Sequence, residues 1–230
     1  MVTRVSRSTT GPGVPCAPFS PAAETYNIVF TGVGGQGVAT IAGLAAGAAL
    51  ASGLDLRMLG SYGMAQRGGI VSAHLRIGRR VLNARIEEGR AHLLVGMELS
   101  EAVRSAPLLA PAGLIVAHTG VIPPAGQRGE SGRGALLELL RSHPGGAVLL
   151  DAVEIAGEAG PRGINAGLLG AATVAPGFPI GAGALEAEIR RSFGSSAGPV
   201  LEAFRRGRRA AAVERGKMGR ARAGGGGGRA

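Results

Sequence analysis

Two glycine-flanked runs carry the residue types most able to do chemistry. The first, Gly32-Val33-Gly34-Gly35-Gln36-Gly37, satisfies G-x-G-x-x-G. Glycines at this spacing let a backbone approach a phosphate closely, and a helix beginning just after Gly37 would add unpaired N–H groups and a partial positive charge. Gly32, Gly34, Gly35, Gln36 and Gly37 are therefore candidate cofactor-binding residues. A complete dinucleotide site also needs a carboxylate at the far end of the next strand, to hold the ribose. Asp55 begins that strand instead, and its far end, Leu59-Gly60-Ser61, has no acid. Three readings stay open: a dinucleotide site, a tight turn that needs glycine for its geometry, and a loop that meets a ligand phosphate or a partner's backbone.

The second run is Gly63-Met64-Ala65-Gln66-Arg67-Gly68-Gly69. Gln66 offers an amide that both donates and accepts, and Arg67 a fork matched to carboxylate or phosphate. The plainer reading is an arginine on a solvated loop, common in so arginine-rich a chain. In an open parallel sheet, loops at the carboxyl ends of strands line one crevice. Both glycine runs follow strands, so they are expected to share one surface.

Other chemistry is harder to build. Cys16 is the single cysteine, which excludes a disulfide framework and any iron–sulfur cluster or structural zinc site made within this chain. The four histidines, His74, His92, His118 and His143, are widely spaced and form no metal-binding pattern. No Ser/His/Asp or Cys/His arrangement stands out, so no catalytic residue and no metal ligand is assigned.

The formal net charge of +10 resembles a nucleic-acid signal. Its location argues otherwise. From Arg205 onward stand nine basic residues and one acid, Glu214, while residues 26–204 are close to neutral. The pI thus describes a tail rather than a binding face. With aromatic residues at 3% and no Trp, the chain also lacks the rings of a single-strand nucleic-acid platform.

The elements that must position the glycine runs follow from periodicity. Thr25 to Leu54 carries only uncharged residues, but its clustered glycines oppose a membrane helix. It divides into a strand over 27–33, the glycine turn and an Ala/Leu-rich helix over 38–52, all internal. Leu56–Leu59 reads as a strand. Ile70–Ile77 alternates, and a Gly78-Arg79-Arg80 turn predicts an antiparallel hairpin with a second strand over 81–85. Further strands are expected over 92–95, 113–117 and 147–150, and helices over 99–109, 134–142, 165–173, 183–193 and 199–213. The class is α/β: a Rossmann-like, mostly parallel sheet with helices on both faces, an added hairpin and a C-terminal helical part. Residues 1–25 are expected to be a disordered extension, 26–212 the folded domain, and 213–230 a disordered basic, Gly-rich tail.

The two runs in this order resemble the gamma-type domain of 2-oxoacid:ferredoxin oxidoreductases, with the small (beta) subunit of indolepyruvate ferredoxin oxidoreductase as the nearest type. The likeness continues through 92–95 with Glu98 and Glu101, 114–117, Asn165-Ala-Gly-Leu-Leu-Gly-Ala171, Pro179-Ile180, Leu185-Glu186, and Ala203-Phe204 with Gly207. The chain departs from the pattern at His118, where Asn is often found, before Ala203, where Asn is absent, and in its arginine-rich tail. The resemblance implies a heterodimeric, cytoplasmic enzyme that oxidatively decarboxylates a 2-oxo acid, such as an aryl pyruvate, to an acyl-CoA and reduces ferredoxin. It places thiamine diphosphate, Mg²⁺ and iron–sulfur clusters in a large partner subunit, with no cofactor bound by this chain alone. The Gly32–Gly37 loop would then approach a phosphate or CoA. Met64, Gln66, Arg67, Gly68 and Gly69 would face the large subunit. Ferredoxin and CoA are expected at the level of the complex, with no membrane and no nucleic acid. The alternatives are a stand-alone nucleotide-binding enzyme and a nucleic-acid-binding protein acting through the tail.

Overall fold

A computed structural model describes residues 2–3, 25–62, 69–122 and 132–224. Its strands are β1 (Val2–Thr3), β2 (Thr25–Val33), β3 (Asp55–Tyr62), β4 (Ile70–Gly78), β5 (Ala91–Gly96), β6 (Leu109–His118) and β7 (Ala147–Leu150). They form one sheet in the order β1-β3-β4-β2-β5-β6-β7. β2, β5, β6 and β7 pair in parallel. β4 lies antiparallel between β2 and β3, and β1 is antiparallel on β3. Two reversals bring β3 back to the direction of β2. All strands except β1 and β4 therefore point one way, and the sheet is mostly parallel.

The interior strands are buried on both faces, as parallel strands covered by helices must be. Ile28 and Phe30 of β2, Leu93 and Val95 of β5, and Leu114 and Val116 of β6 point into the larger core. There they meet α1 (Val38–Ala51), α5 (Gly160–Ala172), α6 (Ala182–Phe193) and α7 (Ala197–Gly224). The alternate residues Val29, Leu94 and Ile115 point the other way. They pack with Leu99 and Ala102 of α2 (Leu99–Ser105) and Leu140 of α3 (Arg133–Arg141). The result is an α/β three-layer fold.

The antiparallel hairpin exists, but with a different partner from the one the alternation suggests. β4 pairs along its whole length with β3 on one side and β2 on the other. Both of its edges are taken, so residues 81–87 form no strand. They are tied down by side chains instead. Val81 N–H donates to Asp55 Oδ2 (2.8 Å), and Ile86 N–H to His74 Nδ1 (3.1 Å).

Other differences have local causes. The helix expected over 99–109 stops at Ser105 and passes through a 3₁₀ turn, Ala106–Leu108, into β6. Pro111 is accommodated because the register with β5 shifts there, between the pairs Ala91–Leu109 and Leu93–Leu114. A short helix, α4 (Ala152–Ala156), follows β7 with Asp151 as its cap. α7 does not end at Val213, where the sequence suggests a disordered tail; it continues to Gly224. Ala, Arg, Glu, Lys and Met are good helix formers, and Lys217 pairs with Glu214 one turn earlier. Met218 packs against the core. At the other terminus, Val2–Thr3 forms β1 rather than unstructured chain.

Candidate functional site

The two glycine runs meet. β2 and β3 point the same way, so the loops after them leave the same end of the sheet. Gly34 N–H donates to Gly69 O at 2.8 Å, which places the start of the β2–α1 loop against the end of the β3–β4 loop. Met64, Gln66, Arg67 and Gly68 lie outside the described residues.

Within the β2–α1 loop the five candidate residues do different work. Gln36 is committed internally. Its Oε1 accepts from Val33 N–H (2.9 Å), and its Nε2 donates to Met97 O (3.2 Å). Since Met97 N–H already donates to Thr31 O, the Gln36 amide extends the β2–β5 ladder by one rung where the backbones diverge. Gly32 lies beneath it: a Cβ there would stand 2.7 Å from Gln36 Oε1 and 3.1 Å from Met97 Cβ. Gln36 and Gly32 therefore build the loop, and a ligand would find neither one's polar group free.

Gly35 and Gly37 hold the open side. Both have left-handed backbone, φ +96° and +83°. A Cβ on Gly35 would meet nothing within 4 Å, so its backbone faces open space. Gly37 begins α1, which has no side-chain cap. The first helical hydrogen bond is Ile41 N–H to Gly37 O, 3.0 Å, so the amides of Val38, Ala39 and Thr40 precede it and have no acceptor among the described residues. Asn165 of α5 reaches the same point. It is 6% exposed, its Nδ2 donates to Gly37 O at 3.5 Å, and its Oδ1 has no partner among the described residues. Three unspent amides and one buried unspent carbonyl thus collect at this helix start.

The dinucleotide reading lacks its acid. Asp55 sits at the opposite end of β3, bound to Arg57 and Val81. Partial burial pushes its carboxyl up, but the Val81 N–H and the Arg57 guanidinium outweigh this and hold it below the usual range. β4 also separates β2 from β3, so the end of β3 is not next to the glycine loop's own strand.

Two buried acids next to the loop carry no assignment from composition. Glu98 follows Met97 and caps α2: its Oε2 accepts from Glu101 N–H (2.8 Å) and its Oε1 from Ile122 N–H (3.1 Å). Glu101 is 5% exposed. One of its oxygens pairs with Arg104 at 3.1 Å, and the other has no partner among the described residues. Burial pushes the Glu101 carboxyl up, with Arg104 opposing and Glu98 adding to the rise. A carboxylate held at such a cost marks a candidate functional edge. The signal in the sequence was the spacing itself, an acid three residues before another at a helix start. Past β6, His118 Nδ1 accepts from Ala152 N–H (3.1 Å) while Asp151 Oδ1 accepts from Val153 and Glu154 N–H. The start of α4 is thus already satisfied, unlike that of α1. Among the described residues, no group of three or more His, Cys, Asp or Glu is placed to hold a metal, and no helix is long and apolar enough to cross a membrane.

The family model for pyruvate ferredoxin/flavodoxin oxidoreductase matches residues 27–210. The chain belongs to that family. Its relatives include indolepyruvate oxidoreductase subunit IorB of Pyrococcus horikoshii, 38% identical over 195 residues, which is 82% of this chain and 96% of the relative. Subunit IorB of Methanothermobacter thermautotrophicus is 37% identical over 193 residues, covering 81% and 98%. Two solved structures share the fold of this pyruvate ferredoxin oxidoreductase family chain. Pyruvate oxidoreductase subunit PORC from Thermotoga maritima superposes with a TM-score of 0.62 at 22% identity, over 81% of this chain and 97% of that one. The gamma subunit of a keto/oxoacid ferredoxin oxidoreductase from Geobacter sulfurreducens gives 0.60 at 19%, over 82% and 99%. The family match ends inside α7, so the helix beyond residue 210 lies outside it.

Proposed function

We propose that this chain is the small subunit of a 2-oxoacid:ferredoxin oxidoreductase acting on indolepyruvate or another aryl pyruvate, and that it completes the assembly without supplying catalytic residues. The observation that carries this reading is the 38% identity to an IorB subunit across 96% of that subunit's length. The reaction converts a 2-oxo acid and CoA to an acyl-CoA and CO₂, and passes two electrons to ferredoxin. Thiamine diphosphate supplies the carbanion chemistry of such a step. It belongs, with Mg²⁺ and the iron–sulfur clusters, to a large partner subunit, because one cysteine cannot ligate a cluster.

What this chain's own residues can do is bind and position. The open backbone at Gly35, the uncapped start of α1 and the unspent Asn165 Oδ1 suit a phosphate group of CoA. Gln36 and Gly32 hold that loop in shape. Gly69 abuts it, and the large subunit would dock at that edge, with Met64, Gln66, Arg67 and Gly68 as its proposed contacts. The complex works in the cytoplasm.

The test is an anaerobic pull-down of the tagged chain from its native cells. The eluate is expected to hold a large partner carrying iron and thiamine diphosphate, and to reduce ferredoxin only when indolepyruvate and CoA are both present. The isolated chain is expected to be inactive. A solitary chain, or one holding only a nucleotide, would overturn the reading in favour of a stand-alone nucleotide-binding protein.

A further inference from the structure

A second concentration of positive charge lies at the other end of the sheet, far from the glycine loop. Gly78 ends β4 and pairs in register with both Thr25 and Asp55, so the exit from β4 sits beside the entries to β2 and β3. Arg76, Arg79, Arg80, Arg85 and Arg90 all lie at this end. Many arginines elsewhere are matched to a carboxylate, as Arg57 is to Asp55 (2.9 Å), Arg104 to Glu101 (3.1 Å) and Arg205 to Glu186 (2.7 Å). Among the described residues, these five make no ion pair.

Three of the five line a cavity of about 300 Å³: Arg76, Arg85 and Arg90, with Asn27, Asn83 and Glu87. Asn27 organises it. This side chain is 8% exposed, and it accepts from Arg76 Nε (3.0 Å) while donating to Arg90 O (2.9 Å). One buried amide therefore fixes a guanidinium and the backbone of a second arginine. Arg76 is held further by long contacts from Nη1 to the carbonyls of Asn83 (3.5 Å) and Arg85 (3.4 Å), so its fork is set before any ligand arrives. Glu87 is the one acid on the lining and pairs with none of the three.

We propose that this cavity binds a doubly charged phosphate-type oxyanion. Three arginines and one acid, Glu87, line one small polar space, so the lining carries an excess of two positive charges, and among the described residues none of the three arginines is paired with a carboxylate. A planar fork donating several N–H groups matches a phosphoryl oxygen set, and charge-assisted bonds of this kind are the strong ones. The volume is at the low end for a ligand pocket, which fits a phosphate or a small phosphate ester. The proposal is independent of the site at the glycine loop.

The test titrates the purified full-length chain, at low ionic strength, with inorganic phosphate, glycerol 3-phosphate and acetate in a calorimeter. Both phosphates are expected to bind, with acetate at least tenfold weaker. Tighter binding of the glycerol ester assigns the site to a phosphorylated metabolite, and equal binding assigns it to phosphate itself. The double variant Arg85→Ala/Arg90→Ala removes two exposed side chains while leaving their backbone contacts. It is expected to weaken phosphate at least tenfold with an unchanged unfolding midpoint. Arg208→Ala, which removes an exposed arginine on α7 that makes no ion pair among the described residues, is expected to leave binding unchanged. Absence of phosphate binding, acetate binding as tightly as phosphate, undiminished binding by the double variant, or an equal loss in Arg208→Ala would each overturn the proposal.

Discussion

Gly35 and Gly37 look interchangeable in the motif, and the structure separates them. Both need positive φ, which costs a side-chain-bearing residue about 1–2 kcal/mol. Only Gly37 is also crowded: a Cβ there would stand 2.5 Å from Asn165 Nδ2, whereas one on Gly35 would meet nothing. Gly35→Ala is therefore expected to cost only the backbone strain. Gly37→Ala should cost more, by about the 1–3 kcal/mol typical of overpacking. In an Asn165→Ala background that excess should vanish, since the clash has lost its partner. Chemical denaturation of the single and double variants checks this. A coupling near zero between positions 37 and 165 would show that Asn165 does not seat the loop. The presence of a special glycine turn here was legible from G-x-G-x-x-G alone. The division of labour was not, because it depends on Met97 and Asn165, which are distant in sequence and reach the loop only through the fold.

At the scale of elements, the α5–α7 contact is made by glycines. A Cβ on Gly207 of α7 would run into the Gly167 carbonyl, and one on Gly170 of α5 into the Phe204 carbonyl. The two helix backbones touch, so neither neighbour can move aside as a flexible side chain could. Gly207→Ala is expected to destabilise by about 3 kcal/mol or more, at the top of the overpacking range. Gly219→Ala in the same helix meets nothing within 4 Å and should stabilise by about 0.5–1 kcal/mol, the ordinary gain of Ala over Gly in a helix. Opposite signs for one substitution in one helix are a sharp expectation for thermal unfolding; two shifts of the same sign would refute the seam. These glycines were visible beforehand as pieces of a family likeness, and packing now gives their reason. The misplaced hairpin has the reverse lesson. The Gly78-Arg79-Arg80 turn after an alternating strand suggests a second strand over 81–85, but strand formation needs a free edge, and β2 and β3 occupy both edges of β4. Edge occupancy is a property of the sheet, which no local pattern records.

The whole molecule decides what the basic C-terminus is for. Charge counting treats everything from Arg205 onward as one tail, but α7 divides it. Ala211 is fully buried, and Arg205, Arg206 and Arg209 are tied to Glu186 and Glu202, so the helix as far as that turn belongs to the core. Beyond it, Lys217 has Glu214, while Arg215 and Arg220 form no ion pair among the described residues. A cut meant to isolate the tail must therefore fall after Val213; cutting after Phe204 would remove the Gly207 seam and unfold the domain. Deleting residues 214–230 loses the packing of Met218, worth about 1–2 kcal/mol for a partly buried side chain, which corresponds to about 2–8 °C in melting temperature. The full chain is expected to bind duplex DNA weakly, with an affinity that falls steeply as salt rises, and the truncated chain to lose that binding. Partner capture should be unaffected, because the family match ends at residue 210. Pull-down and DNA retention measured on the same truncated protein separate the two roles. A truncation that keeps its fold but no longer captures the large subunit would move the end of α7 from ornament to interface.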